Sequence, residues 1–306
     1  MFYQRIILIA AGLAVIIYAT FLFYNRLALA PTEVFAVLQP PQVIEQLTVK
    51  EAIKAQQISV PRQPTGYFAP ILTFHYIATT SETDPAGVGL HVGPAEFEKI
   101  LKELQKNKYQ TVFASTMAAE LARGQLPPKN WVALTFDDGY EDFYTNALPL
   151  LEKYHDQASL FIITAASGAN YLTGEQIKEI DQSGLVEIGS HTVNHLMLSK
   201  LSPQIAGREL ISSKIYLEKL LGKPVDIIGY PYGDYSTKVE ELAKASGYKY
   251  GFTYNHHPLQ DSADMFAIDR ASVWPGMNVI NFLENLQAQN DRLKISSTTA
   301  EILPTP

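Results

Sequence analysis

The chain has 306 residues, 47% hydrophobic and 18% charged, with a formal net charge of −7 and no cysteine. This balance is globular rather than disordered, and the length suits one good-sized domain with appendages or two small ones. The acidic charge argues against a nucleic-acid partner, and the lack of cysteine leaves His, Asp or Glu to hold any metal.

From Ile6 to Tyr24, between Arg5 and Arg26, the chain carries no charge. The run approaches the roughly 20 apolar residues that cross a bilayer and exceeds the apolar stretch of a secretory signal. Ala28-Leu29-Ala30 resembles a cleavage site, but Pro31 follows it directly. The expectation for residues 1–30 is therefore an uncleaved transmembrane signal-anchor. It would make a single-pass cell-membrane protein with the rest of the chain extracytoplasmic, and the flanking charges weakly favour a cytoplasmic N-terminus. Residues 31–67, rich in Gln and containing Pro31, Pro40, Pro41, Pro61 and Pro64, read as a spacer with a short helix around Ile44–Gln56.

Short apolar runs then alternate with amphipathic segments. Strands are expected at Pro70–Tyr76, Trp131–Phe136, Ser159–Thr164, Val186–Ser190, Val225–Tyr230, Tyr248–Tyr254 and Phe266–Val273. Helices are expected at Pro94–Asn107 and Glu141–Tyr154, after a Thr173…Gln176 capping box, from Ser202-Pro203 to Leu221, and at Ser236–Ser246 and Asn278–Ala288. Such alternation over residues 68–290 implies an α/β fold with a parallel sheet, open or closed as a barrel. Chemistry in these folds gathers where strands end. Residues 291–306, ending in Pro304-Thr305-Pro306, form a polar C-terminal tail.

Asp137 and Asp138, followed by Gly139, close the expected strand Trp131–Phe136. Adjacent carboxylates repel unless a cation sits beside them. A helix N-cap would also suit Asp, but needs only one. His191 and His195, after Val186–Ser190, are four apart, on one face of a helical turn, where both imidazoles reach one metal. One Asp and two His leave a position open for water, as in a catalytic centre. In Gly229-Tyr230-Pro231-Tyr232-Gly233, Gly and Pro fix a loop whose N–H groups can face a substrate oxygen.

Thr135-Phe136-Asp137-Asp138-Gly139, His191-Thr192-Val193-Asn194-His195 and Pro231-Tyr232-Gly233, in this order, resemble the polysaccharide deacetylase family, that is, the NodB-homology domain or carbohydrate esterase family four. The resemblance covers about residues 68–290 and implies a distorted (β/α) barrel of about seven strands. It implies Asp137 as general base, Asp138, His191 and His195 as metal ligands, and the Tyr232 N–H as an oxyanion donor. Zinc suits these ligands best, with cobalt or nickel able to replace it. Many relatives carry an Arg where this chain has Gly229, and an Asp four residues before a later Trp, where this chain has Arg270 before Trp274. The expectation is that Arg270 supplies the cation for Asp137, against the alternative of a surface Asp269–Arg270 pair. Trp274 and Tyr230 are candidate substrate-binding residues, Trp274 as a wall of the acetyl or sugar pocket, with a core residue as the alternative.

No late His fits the family's usual general acid. The strand ending in His75 resembles that of the poly-N-acetylglucosamine deacetylase branch, which implies His75 as the acid, and a His titrating near about 6.5 can protonate an amine at neutral pH. His91, His155, His256 and His257 read as loop or surface residues, the last two able to bind stray metal. The expected activity is metal-dependent removal of N-acetyl groups from a cell-surface amino-sugar polysaccharide, poly-N-acetylglucosamine favoured, releasing acetate. Peptidoglycan or chitin oligomers, O-acetyl xylan, and an inactive carbohydrate-binding protein are the alternatives.

Overall fold

The computed structural model describes residues 66–79, 88–254, 259–261 and 264–300. The expected membrane anchor, residues 31–65 of the expected spacer with its short helix, His256, His257 and residues 301–306 lie outside the described residues, while Gly66 and Tyr67 at the spacer's end belong to a strand. Among the described residues no helix is long and apolar enough to cross a membrane.

The strands are β1 (Gly66–Phe68), β2 (Ile71–Phe74), β3 (Gln110–Val112), β4 (Trp131–Phe136), β5 (Ala158–Ile162), β6 (Val186–Ser190), β7 (Ile227–Gly229), β8 (Tyr250–Phe252), β9 (Leu259–Asp261) and β10 (Ala271–Ser272). The helices are α1 (Pro94–Lys106), α2 (Ala114–Ala122), α3 (Leu148–Tyr154), α4 (Gly174–Gln182), α5 (Pro203–Leu221), α6 (Thr237–Ala245) and α7 (Val279–Ala300). Seven strands lie in the order β10-β2-β4-β5-β6-β7-β8, every pair parallel. A parallel bridge from Phe252 to Ile268 joins β8 to the segment leading into β10. The result is a parallel (β/α) half-barrel with the expected number of strands along its main path. β3 adds a parallel pairing to the first half of β4, and β1 with β9 forms a separate antiparallel pair.

Helices cover the sheet because their apolar stripes have nowhere else to go. α1 buries Phe97, Ile100, Leu101 and Leu104, and Phe97 meets Phe74 and Phe136 edge-on at 5.4 and 5.6 Å. β2 and β5 are buried at every position, which is why they read as continuous runs rather than alternating ones. The Thr173–Gln176 capping box is present, and Ser202 and Ser236 cap α5 and α6 through their side chains.

Several boundaries differ from expectation. The segment Glu141–Tyr154 is not one α-helix: a wider π-type turn, Phe143–Ala147, precedes α3. The last expected strand shrinks to Ala271–Ser272, with Ile268 contributing only a bridge. α7 runs on to Ala300 and takes in residues 291–300 of the expected tail. β3 and α2 were not expected. The buried Ala114, Met117, Ala118 and Leu121 of α2 recur at helical spacing, but two are alanines and the apolar stripe is faint.

Asp142, just before the π-type turn, has one carboxyl oxygen buried with no partner among the described residues. Burial raises its pKa from 3.8 to about 6, against the help of a backbone hydrogen bond from Ile77. A folded pKa above the unfolded one means that the folded state binds the proton more tightly. Stability is then greatest below the ordinary value and falls as pH rises through about 6. Asp142→Asn is expected to raise the thermal midpoint at pH 7 and to leave it nearly unchanged at pH 4. Equal shifts at both pH values would contradict this account.

Candidate active site

The expected chemical residues follow strand C-termini: His75 after β2, Asp137 and Asp138 after β4, His191 after β6 and Tyr232 after β7. All five, with His195 and Arg270, line one cavity of about 490 Å³. Four residues in the loops that form it hold backbone conformations that L residues rarely adopt: Asp138 (φ 73°), Thr192 (67°), His195 (56°) and Tyr232 (58°). Strain of this kind persists only where surrounding contacts fix it, and it gathers at functional sites.

Asp138, His191 and His195 each offer one ligand atom, and the three atoms lie within 4.8 Å of one another. Asp138 Oδ1 is 3.4 Å from His191 Nε2 and 3.3 Å from His195 Nε2. It is buried and has no hydrogen-bond partner among the described residues. A buried, unpaired carboxylate oxygen facing two ring nitrogens is costly unless a cation lies between them, so the donor set fits a divalent metal. His191 Nδ1 lies 2.7 Å from the Gly229 carbonyl, which places the proton on Nδ1 and leaves the Nε2 lone pair facing Asp138. Burial first, then His191, lower the pKa of His195 against the pull of Asp138 and Asp137, favouring the neutral imidazole that can act as a ligand. The two His are not on a helical turn as the spacing suggested: residues 191–195 form an irregular loop that contains two left-handed residues.

Arg270 is fully buried and grips Asp137 with both arms, Nη1 to Oδ1 at 2.7 Å and Nη2 to Oδ2 at 2.9 Å. Its Nε donates to the Thr253 carbonyl, Nη1 also reaches Thr135 Oγ1, and the guanidinium lies over the Phe161 ring at 5.0 Å. The surface-pair alternative is therefore excluded. Gly229 shows why the cation arrives from another segment: a Cβ there would lie 3.0 Å from Phe161 and 3.3 Å from His191 Nδ1. Burial pushes the Asp137 carboxyl upward, but the charge of Arg270 and its hydrogen bonds outweigh it and hold the group well below the usual carboxylate range.

His75 reaches the cavity beside Asp137. Its pKa is not the ordinary one expected from sequence. Burial lowers it, against the upward pull of Asp137 and Asp138, so the ring rests neutral at neutral pH. Tyr232 is 59% exposed, with its ring 4.5 Å from that of His195. Its left-handed backbone, followed by Gly233 at φ 66°, turns the loop back over the site, and a Cβ at Gly233 would strike Tyr254 at 2.7 Å.

Two candidate residues are not brought to the cavity. Tyr230 is fully buried among Leu210, Ile228, Val239 and Phe266, so it is a core residue and not a substrate contact. Trp274 is 51% exposed two residues beyond β10, so it is not a core residue, and it does not line this cavity. His91 stacks on Tyr76, and His155 is an exposed left-handed residue ending α3.

Tyr140 was missed by sequence reasoning. It lines both this cavity and a neighbouring one of about 420 Å³ that shares Asp138 and His195. Its ring is the third in a stack of four: His91, Tyr76, Tyr140 and Tyr171, at successive spacings of 4.2, 3.8 and 5.2 Å. A tyrosine directly after the Asp-Asp-Gly turn was the available signal.

The sequence profile of the polysaccharide deacetylases matches residues 124–251. YxkH of Bacillus subtilis, assigned to the same proteins, is 36% identical over 210 residues, which cover 68% of this chain and 72% of that one. The poly-β-1,6-N-acetyl-D-glucosamine N-deacetylase of Staphylococcus epidermidis is 32% identical over 160 residues, 48% of this chain and 55% of that one. Among solved structures, the deacetylase PplD of Streptococcus pyogenes, in complex with acetate, superposes with a TM-score of 0.67 at 33% identity, covering 73% of this chain and 99% of that one. With the half-barrel and its strand-end site, these similarities establish that the chain belongs to the polysaccharide deacetylase family.

Proposed function

We propose that the chain is a metal-dependent N-deacetylase of an N-acetylglucosamine-containing surface polysaccharide, with poly-N-acetylglucosamine favoured. The observation that carries this reading is the single cavity that joins the Asp138–His191–His195 cluster to the Arg270-clamped Asp137 and to His75. Similarity to a relative named as a poly-β-1,6-N-acetyl-D-glucosamine N-deacetylase supports the substrate class, and a relative that holds acetate supports the product.

Asp138, His191 and His195 would hold the metal, zinc for preference, which supplies a Lewis acid for the acetyl carbonyl and acidifies water. Asp137, kept ionised by Arg270, orients the attacking water and takes its proton. The Tyr232 N–H donates to the developing oxyanion. His75, neutral at rest, receives the water proton by way of Asp137 and then, as the imidazolium, delivers it to the leaving nitrogen, so the proton removed from water is the one that ends on the amine. Water adds to the carbonyl carbon, the carbon–nitrogen bond breaks, and acetate and a free amine remain.

The uncharged run Ile6–Tyr24 supports a single-pass membrane anchor for residues 1–30, a spacer for residues 31–67 and an extracytoplasmic catalytic domain from residue 68 onward. The substrate is tested by measuring acetate release by the full-length, zinc-loaded chain from oligomers of β-1,6-linked N-acetylglucosamine, chitin oligomers and peptidoglycan. The account expects the highest kcat/KM on the β-1,6-linked oligomers. A preference for peptidoglycan would reassign the polymer, and release from none of the three would overturn the N-deacetylase reading.

A further inference from the structure

His195 is the most weakly placed of the three clustered residues. His191 continues the sheet, its N–H bonded to the Ile162 carbonyl at 2.8 Å and its Nδ1 held at Gly229. His195 stands at the far end of a loop with left-handed residues at 192 and 195, and within that loop its own N–H reaches only Thr192 Oγ1, at 3.1 Å. Carbonyls on one side of the loop are tied down, Thr192 O by Thr164 N–H and Val193 O by Ala165 N–H. The N–H groups on the other side converge on one carboxylate.

That carboxylate is Glu209, from the middle of α5. It is 6% exposed. Its Oε2 accepts the Val193 N–H at 3.0 Å and the Asn194 N–H at 2.8 Å, and its Oε1 accepts Asn194 Nδ2 at 2.6 Å. A buried anion is tolerated only when its lone pairs are filled, and here the loop fills them. The sequence carried a signal for this. The buried positions of α5 include Ala206, Leu210, Ser213 and Leu217, and Glu209 faces the core among them, where a charged residue without a partner is rare. Ser213, one turn further along α5, steadies the loop's first end by meeting Ser190 Oγ at 2.8 Å, which in turn accepts the Thr192 N–H.

We infer that Glu209 is a positioning residue for the metal centre: it locks the strained 192–195 loop so that the His195 imidazole is presented to the ion before the ion arrives. The inference rests on the assignment of Asp138, His191 and His195 as ligands. Removal of an outer partner of a metal ligand typically weakens metal affinity about 10–100-fold. Glu209→Gln keeps the size of the side chain but sets an amide N–H against the loop donors.

The test is a zinc titration of the full-length chain against a chromophoric chelator, with His195→Ala as reference. Thermal midpoints of the metal-free proteins and kcat at saturating zinc are measured in parallel. Glu209→Gln is expected to raise the zinc Kd about 10–100-fold, with kcat recovering towards wild type once zinc saturates. An unchanged Kd with a lowered metal-free midpoint would reduce Glu209 to a structural role and overturn the inference. Should Glu209→Gln fail to fold, Glu209→Asp, which keeps the charge but withdraws it from the loop, is judged by the same criteria. A wild type that binds no zinc, or binds it as well without His195, would overturn the ligand assignment and the inference with it. Normal wild-type binding with an unaltered Kd in the Glu209 variant would overturn the inference alone.

Discussion

Asp137→Asn is expected to lower kcat for acetate release by about 10²- to 10⁴-fold, the range for loss of a positioned general base, while the protein keeps its zinc. The expectation follows from the division of labour between two adjacent acids. Asp138 faces the two imidazoles, whereas both oxygens of Asp137 are taken up by Arg270. The amide keeps the shape and one acceptor but removes the charge that draws the water proton. Metal content and turnover, measured on the same sample, distinguish the roles. Loss of zinc in step with turnover would make Asp137 a ligand, and unchanged turnover would remove it from the mechanism.

Arg270→Met should cost about 3–5 kcal/mol of stability, the usual penalty for leaving one member of a buried ion pair unpaired. The partner left behind is Asp137, buried and without its bidentate clamp. Because the Asp137 pKa is depressed, the stabilisation by Arg270 is fully present above the ordinary carboxylate range and fades only as pH falls through a lower folded value. Without the guanidinium, burial, the largest upward influence, dominates and the carboxyl pKa rises. The acid limb of the pH–rate profile should therefore move to higher pH, with turnover depressed and zinc binding little altered. Denaturation curves and a pH profile check both halves. A variant of wild-type stability with an unmoved acid limb would return Arg270 to the role of a bystander.

Much of this site was legible in the sequence because its residues follow strands whose apolar runs are hard to misread. Trp131–Phe136 and Val186–Ser190 appear at their expected bounds, and the acids and His191 follow directly. Arg270 was readable only as a displaced cation. That it climbs past Phe161 to reach Asp137 depends on a close approach of Gly229 that no local pattern encodes. Tyr230 was misassigned because a strand end gives the alternation of inward and outward residues without saying which side is the core; its ring turns towards α5 and α6. Glu209 and Tyr140 were missed because each acts through contacts across the fold, one from a distant helix and one through a stack of rings. The pKa of His75 was misjudged for a related reason, since burial is a property of the assembled barrel.

The most direct test of the central claim is acetate release from β-1,6-linked N-acetylglucosamine oligomers by the full-length chain, stripped of metal with a chelator and then returned to one equivalent of zinc. The account predicts no release from the stripped protein and full recovery on addition of zinc, with no recovery in His191→Ala. Equal release before and after stripping, or recovery in the variant, would contradict a metal centre at Asp138, His191 and His195.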